Sequence, residues 1–389
     1  MVTESCAHER TAGGAPHARG VFAARVLLVS LALVALPGCG TLYIAQAARG
    51  QWEVLHDRRP IPAVLSDERT SASVRARLVA VSEARDFAAQ QLALPDNKSY
   101  RTYADVGRRY VVWNVVAAPE FSVEPLTWCF PIAGCVAYRG YFSEHAADKF
   151  AAQLKKRAFD VVVEGVPAYS TLGRFADPVL NTMLIYGDRE LAAIIFHELA
   201  HQLIYVAGDS EFNEAFAVTV EETGLARWLE FKGRAAELAE YRAERAREFE
   251  FNLLIERHRT ALAALYASKL SPELMRARKE EQFAALVQDI RALEHRQAVS
   301  SGYEEWVGEG LNNAHLASVA TYFDCVPGFE RLLAGEDGDL PRFYAAVRVL
   351  AKKPVLERHR ELCVRSGEED QQARLSAPPV TSSPNARRP

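Results

Sequence analysis

His197, Glu198 and His201 spell H-E-x-x-H in the stretch His197-Glu198-Leu199-Ala200-His201. On an α-helix, residues four apart lie on one face, so both imidazoles can reach a single metal ion. The carboxylate beside the first histidine then stands near a water at that ion, where a general base is needed. The pattern also arises by chance. The bland alternative is two core histidines bonded to backbone carbonyls, and the surrounding sequence has to decide.

The surroundings read as helical. Asp188 follows Gly187 and is expected to N-cap a helix that starts near Arg189 and runs free of Pro and Gly to a terminating Gly208. Apolar residues cover most of its circumference, which implies a buried helix, and ionisable groups on a buried helix need partners. A catalytic zinc site usually takes three protein ligands and keeps one position open. Asp209 or Ser210 can cap a second helix opening with Glu211-Phe212-Asn213-Glu214-Ala215-Phe216-Ala217. At a rise of ~1.5 Å per residue, a short loop and an antiparallel return bring Glu214 beside the histidines as third ligand. Glu221, about two turns further, is a rival ligand or an outer partner, and Glu222 reads as a solvated position.

Asn213-Glu214-Ala215-Phe216-Ala217 resembles the N-E-G-F-A segment of the gluzincin aminopeptidases, whose glutamate is the third zinc ligand. The spacer departs from theirs: twelve residues separate His201 from Glu214, fewer than in those enzymes. A closer resemblance is to a family of bacterial lipoproteins described as aminopeptidases. It is carried by Val111-Val112-Trp113-Asn114-Val115-Val116-Ala117-Ala118-Pro119-Glu120-Phe121 and by Thr127-Trp128-Cys129-Phe130-Pro131 through Gly134-Cys135. Tyr138-Arg139-Gly140-Tyr141-Phe142 and Val166-Pro167-Ala168-Tyr169-Ser170-Thr171-Leu172-Gly173 carry it further, over most of the chain after the leader. The resemblance implies one Zn²⁺ ion held by His197, His201 and Glu214, with Glu198 as general base and a peptide as substrate. It also implies a downstream tyrosine that stabilises the oxyanion. Tyr322 fits best by order, with Tyr303 and Tyr169 as competitors. His315 is a further donor or a satisfied core histidine. Glu120, Glu124 or Glu221 could bind a substrate α-ammonium, and no spacing rule picks one.

Arg19 and Arg25 precede the apolar run Val26 to Leu36, and Leu36-Pro37-Gly38-Cys39 follows. This is the pattern of a secretory signal with a lipobox-like cleavage site before Cys39, whose thiol would carry the lipid. The run is short for a membrane span. Gly40 after the cysteine favours the outer membrane, facing the periplasm, in a Gram-negative cell. Met1 to Gly20 is polar and long for the start of such a leader, which makes Val21 a candidate start. Export suits the cysteines. Of six, Cys129, Cys135, Cys325 and Cys363 remain in the mature body, an even number in an oxidising compartment. Cys129 with Cys135 would close a small loop and Cys325 with Cys363 would tie down the C-terminal segment; buried free thiols are the alternative.

The 389 residues are 49% hydrophobic with a formal charge of −4, enough for a sizeable core and no reason to invoke nucleic acid. Residues 41–94 read helical, punctuated by Pro60, Pro62 and Pro95. Tyr110–Val116, Gly134–Phe142 and Phe159–Tyr169 read as strands, with a helix over Ala146–Arg157. Leu225–Leu293 reads as a long charged helical hairpin broken at Ser271-Pro272. The expected fold is α+β, predominantly helical, a zincin-like core with a small sheet beside the HExxH helix. Val166–Thr171 is the candidate edge strand for extended substrate. The expected organisation is a signal peptide (1–38), an N-terminal helical segment (39–99), the catalytic core (100–228), the hairpin (229–300), a C-terminal helical part completing the site (301–366) and a disordered tail (367–389). The expected function is zinc-dependent peptide hydrolysis, most simply by an aminopeptidase in the cell envelope. The alternatives are a zinc endopeptidase and a catalytically silent envelope lipoprotein with a binding role. Intact Glu198 argues against the last, and the sequence does not set the oligomeric state.

Overall fold

The computed structural model describes residues 39–130, 134–297, 303–308, 310–323 and 325–363. The expected signal peptide and C-terminal tail lie outside these residues. The chain divides into two units, residues 1–51 and 52–389. The described part of the first unit is the start of helix α1 (Cys39–His56), which ends in the second unit with Trp52 stacked on His56. No described helix is long and apolar enough to cross a membrane.

In the second unit a two-residue strand β1 (Arg59–Pro60) leads into α2 (Ile61–Ser66), where Pro62 sits in the first turn and forfeits no helix hydrogen bond. Ser71 caps α3 (Ala72–Gln91) by accepting from the Val74 amide at 3.3 Å. Strand β2 (Thr102–Ala104) then pairs antiparallel with β1.

The expected strand after Tyr110 is β3 (Val112–Pro119), followed by the hairpin β4 (Trp128–Phe130) and β5 (Gly134–Val136), then β6 (Tyr138–Tyr141). Ser143 caps α4 (Glu144–Lys155), and β7 (Phe159–Val166) follows. β3 is the centre of an antiparallel sheet in the order β6-β3-β7, with Val116 opposite both Tyr138 and Val162. Its apolar run is nearly continuous because both faces are covered. α4 packs on β3 and β7, and Val116 and Val162 also meet Ala314 from a late helix. Strand β8 (Val179–Leu180) adds parallel to β2.

Helix α5 (Asp188–Leu203) carries the H-E-x-x-H residues, and α6 (Ser210–Phe231) returns beside it. Two expectations about α5 need correction. Asp188 is its first residue rather than its cap, which is Gly187, and the Asp188 carboxylate reaches Arg77 at 2.5 Å instead. The helix also stops at Leu203, five residues short of Gly208, because Ile204 turns extended. The small sheet is not its main support, since α5 packs chiefly on α6 and α3.

The charged segment forms α7 (Ala235–Tyr266) and α8 (Pro272–Gln297), broken as expected at Ser271-Pro272. They pack through a separate apolar cluster around Phe251, Ile255, Leu262, Phe283 and Leu286. The short α9 (Tyr303–Gly308) and α10 (Asn313–Phe323) follow, α10 being the late helix that covers the sheet. The last described elements are α11 (Val326–Gly335), α12 (Leu340–Leu350) and α13 (Val355–Leu362). Phe329, Phe343 and Tyr344 from this group pack on Phe216 of α6. The molecule is a predominantly helical α+β protein with small sheets.

Candidate functional site

Three side chains converge between α5 and α6. The Nε2 atoms of His197 and His201 lie 3.1 Å apart. Glu214 Oε2 is 3.3 Å from the first and 3.5 Å from the second. An ion with tetrahedral bonds of about 2.0–2.2 Å spaces its ligand atoms about 3.3–3.6 Å apart, so these three atoms could hold one such ion. They are the donor types a zinc site uses.

Two features of the chain create this convergence. The i, i+4 spacing puts both histidines on one face of α5. The turn 204–209 then reverses the chain within six residues, because Asn213 clips it: its Oδ1 accepts from the Val206 amide and its Nδ2 donates to the Val206 carbonyl, both at 2.8 Å. Asp209 caps α6 by accepting from the Phe212 amide at 3.2 Å, as its position suggests. Glu214 therefore enters in the second turn of α6. The Cys129–Cys135 disulfide closes the β4–β5 hairpin, which leans on the same turn. A Cβ at Gly134 would stand 2.3 Å from the Gly208 backbone nitrogen, and Gly134 has φ +74°, so only glycine fits there.

The electrostatics draw positive charge to the centre. Burial works against a charged His197, yet its hydrogen bonds to Glu214 and Glu221 prevail and hold its pKa well above the usual value. Burial likewise works against an ionised Glu214, and the two histidines overcome it, keeping the carboxyl ionised far into acid. Glu221 meets the other nitrogen of His197, Nδ1, at 2.9 Å. That is an orienting contact on the imidazole face turned away from Glu214. Glu222, expected on a solvated face, is instead largely buried and paired with Arg245. The pattern of charges along a surface-like helix gave no sign that α7 would cover it.

Glu198 lies beside this cluster, 8% exposed. Its Oε2 is buried with no hydrogen-bond partner among the described residues. Burial raises its pKa, against the pull of His197 and His201. Such a carboxylate is suited to accept and release a proton.

Beyond Glu198 runs a polar seam. Gln202 lies one turn on along the same helix face and reaches Asp177 at 3.3 Å and Ser170 at 3.4 Å. Asp177 accepts from the amide and hydroxyl of Thr171 at 3.0 and 2.7 Å. Residues 170–177 are thereby held along the Glu198 side of α5. The candidate edge strand is corrected here: the strand ends at Val166, and residues 167–171 continue without strand pairing.

The tyrosines divide. Tyr303 stacks on Phe251 at 3.9 Å inside the hairpin cluster, away from the histidines. Tyr322 lies on α10, and its side chain is outside the described residues. Tyr169 packs edge-on against Phe142. Tyr205, which the sequence reading missed, has its ring 6.4 Å from that of His201, and burial with Glu214 raises its pKa. Its position just past the helix end was the available signal. His315 is a core residue, 3% exposed, bonded through Nδ1 to Asn312 and lying edge-on to Trp306. Glu120 and Glu124 are not gathered at the histidines by any contact: Arg276 engages the first at 2.6 Å and Arg259 the second at 3.2 Å. Cys325 and Cys363 form the second disulfide. Cys39 begins α1, with its side chain outside the described residues.

No curated protein and no solved structure matches the chain. A family model described as "Putative aminopeptidase" matches residues 42–362, from the first turn of α1 to the end of α13. That span takes in the whole of the site and most of the sequence, and the chain belongs to this aminopeptidase family.

Proposed function

We propose that the protein is a zinc-dependent aminopeptidase that acts on peptides in the bacterial cell envelope. The observation that carries the reading is the convergence of His197 Nε2, His201 Nε2 and Glu214 Oε2 beside a buried Glu198 with an open oxygen. The family match supports peptide-bond hydrolysis, and its description favours release of N-terminal residues.

In this reading His197, His201 and Glu214 hold one Zn²⁺. When bound, zinc supplies Lewis-acid polarisation of the scissile carbonyl and lowers the pKa of a water. Glu198 accepts the proton of the attacking water at Oε2 and delivers it to the leaving amine as the peptide bond breaks. Glu221 fixes the ring of His197 through Nδ1 and so fixes which nitrogen faces the centre. Tyr205 and Tyr322 are the candidate donors to the developing oxyanion.

The compartment belongs to the same proposal. A lipid on Cys39 would hold the protein at the membrane, with the outer membrane facing the periplasm as the expected site. Two disulfides fit an oxidising compartment.

The test uses purified protein with zinc, assayed on aminoacyl-arylamides and on N-blocked peptides. Cleavage of the first class alone is expected; cleavage of blocked peptides would make it an endopeptidase. Glu198→Gln should retain one zinc and lose about 10²–10⁴-fold in kcat. Wild-type protein that binds no stoichiometric metal would overturn the reading.

A further inference from the structure

The carboxylate of Asp209 serves two structures at once. It caps α6 through the Phe212 amide, and it receives three side-chain donors from α13, about 150 positions later in the chain. Arg358 Nε and Nη2 donate to Oδ2 at 2.9 and 2.6 Å, and His359 Nε2 meets Oδ1 at 2.7 Å. Both members of the Arg358–Asp209 pair are nearly inaccessible, with side-chain exposures of 7% and 2%. An ordinary N-cap needs only a backbone amide and usually faces water. Covering one with a guanidinium and an imidazole desolvates charge, which adds little stability on balance but fixes geometry.

The donors are themselves held. Arg358 also bonds to the carbonyl of Lys353, and its guanidinium lies over the Phe212 ring at 5.4 Å. The residue after α13, Cys363, is joined by a disulfide to Cys325, which precedes α11. Phe329 of α11 packs edge-on against Phe212. The first turn of α6 is therefore gripped from the C-terminal group by charge, ring contact and a covalent tie. Glu214 lies five residues past Asp209, so a shift of that turn moves its carboxylate relative to histidines that ride on a different helix.

We propose that Arg358 and His359 are positioning residues for Glu214: through Asp209 they set the first turn of α6 and hence the spacing of the three convergent ligand atoms. The inference rests on the zinc reading above. It gives the C-terminal helix a task at the site without any contact to the ion.

The experiment uses the full chain as wild type and as Arg358→Met, Arg358→Lys, His359→Ala and Lys279→Met. Lys279 pairs with Asp160 between the hairpin and the sheet and serves as a structural control. Zinc affinity is measured by competition with a chromophoric chelator, ligand geometry by the visible spectrum of the Co²⁺-loaded protein, and folding by thermal melting of the metal-free form. Arg358→Met and His359→Ala should each weaken zinc binding on the order of ten-fold and shift the cobalt bands. Arg358→Lys should recover part of the affinity, and Lys279→Met should leave affinity and spectrum unchanged even where it lowers Tm. Should Arg358→Met fail to fold, His359→Ala decides, since that side chain is 28% exposed. Wild-type affinity and spectrum in the folded clamp variants overturn the proposal alone. A wild type that binds no zinc overturns the zinc reading and this proposal with it.

Discussion

Glu221 holds the His197 ring from the side away from Glu214, meeting Nδ1 at 2.9 Å. The motif His197-Glu198-x-x-His201 and the following Asn213-Glu214 are local patterns, and helix geometry alone predicts which atoms can meet. Glu221 was legible as a rival ligand or an outer partner, about two turns past Glu214; which of the two it is was not, because its partner His197 lies 24 positions away on another helix. The same blindness explains the tyrosines. Order along the chain admitted Tyr303, but its ring fills an apolar stack on Phe251. Tyr205 carries one signal, its position just past the end of α5, and that end was itself misplaced at Gly208. The bond from Glu221 to His197 Nδ1 makes a prediction at this scale. Glu221→Ala should weaken zinc binding by about 10–100-fold, and Glu221→Gln, which keeps an acceptor, by less. Chelator competition on the folded variants measures both; an alanine variant with undiminished affinity would show that the ring needs no such partner.

Between elements, the decisive contact is the close approach of α5 and α6. Their existence followed from periodicity and, for α6, from its cap Asp209, and the break of the hairpin at Ser271-Pro272 followed from proline chemistry. The end of α5 did not follow. Gly208 looked like its terminator, yet the Asn213 side chain takes both polar groups of Val206 and stops the helix earlier. Asn213 outcompetes the helix from outside it, which no window of propensities reveals. Gly224 sets the distance between the helices from the other end. A Cβ there would fall 2.7 Å from Leu92 Cδ1 and 2.9 Å from Phe196 Cδ2. Both side chains are fully buried in the core, so neither can swing aside freely. Gly224→Ala should therefore push α6 off α5 and destabilise the fold by about 1–3 kcal/mol, as overpacking does, despite alanine's better helix propensity. Denaturant unfolding gives the first quantity. Zinc affinity gives the second, and it should fall too, because Glu214 and Glu221 ride on α6.

For the whole molecule, the sequence indicated a helical α+β protein with a separate charged hairpin, since those features are written in local pattern. It did not indicate how distant parts close on one another. The pairing of β2 with β8 joins Tyr103 to Val179 across a long crossover, and two-residue strands carry no periodicity. The packing of α10 over the sheet was equally hidden, and it buries His315. That burial has a consequence for stability. Removal from water, with Lys155 nearby and only partly offset by Asp160, lowers the His315 pKa to about 4. An exposed histidine titrates near 6.5. Between these values the unfolded chain binds a proton that the folded chain refuses, so stability falls as the pH drops from about 6.5 towards 4. By pH 4.5 this one group should remove about 2.5 kcal/mol. His315→Asn keeps an acceptor for the Asn312 amide and does not titrate, so its stability should change less over the same interval. Urea unfolding of wild type and variant at pH 7 and pH 4.5, both metal-free, isolates the difference, because every other acid-sensitive group is common to the two. Equal losses in the two proteins would mean that His315 takes up its proton without leaving the fold. The burial of α10 against the sheet would then be looser than the packing of Ala314 and Leu316 on either side of it implies.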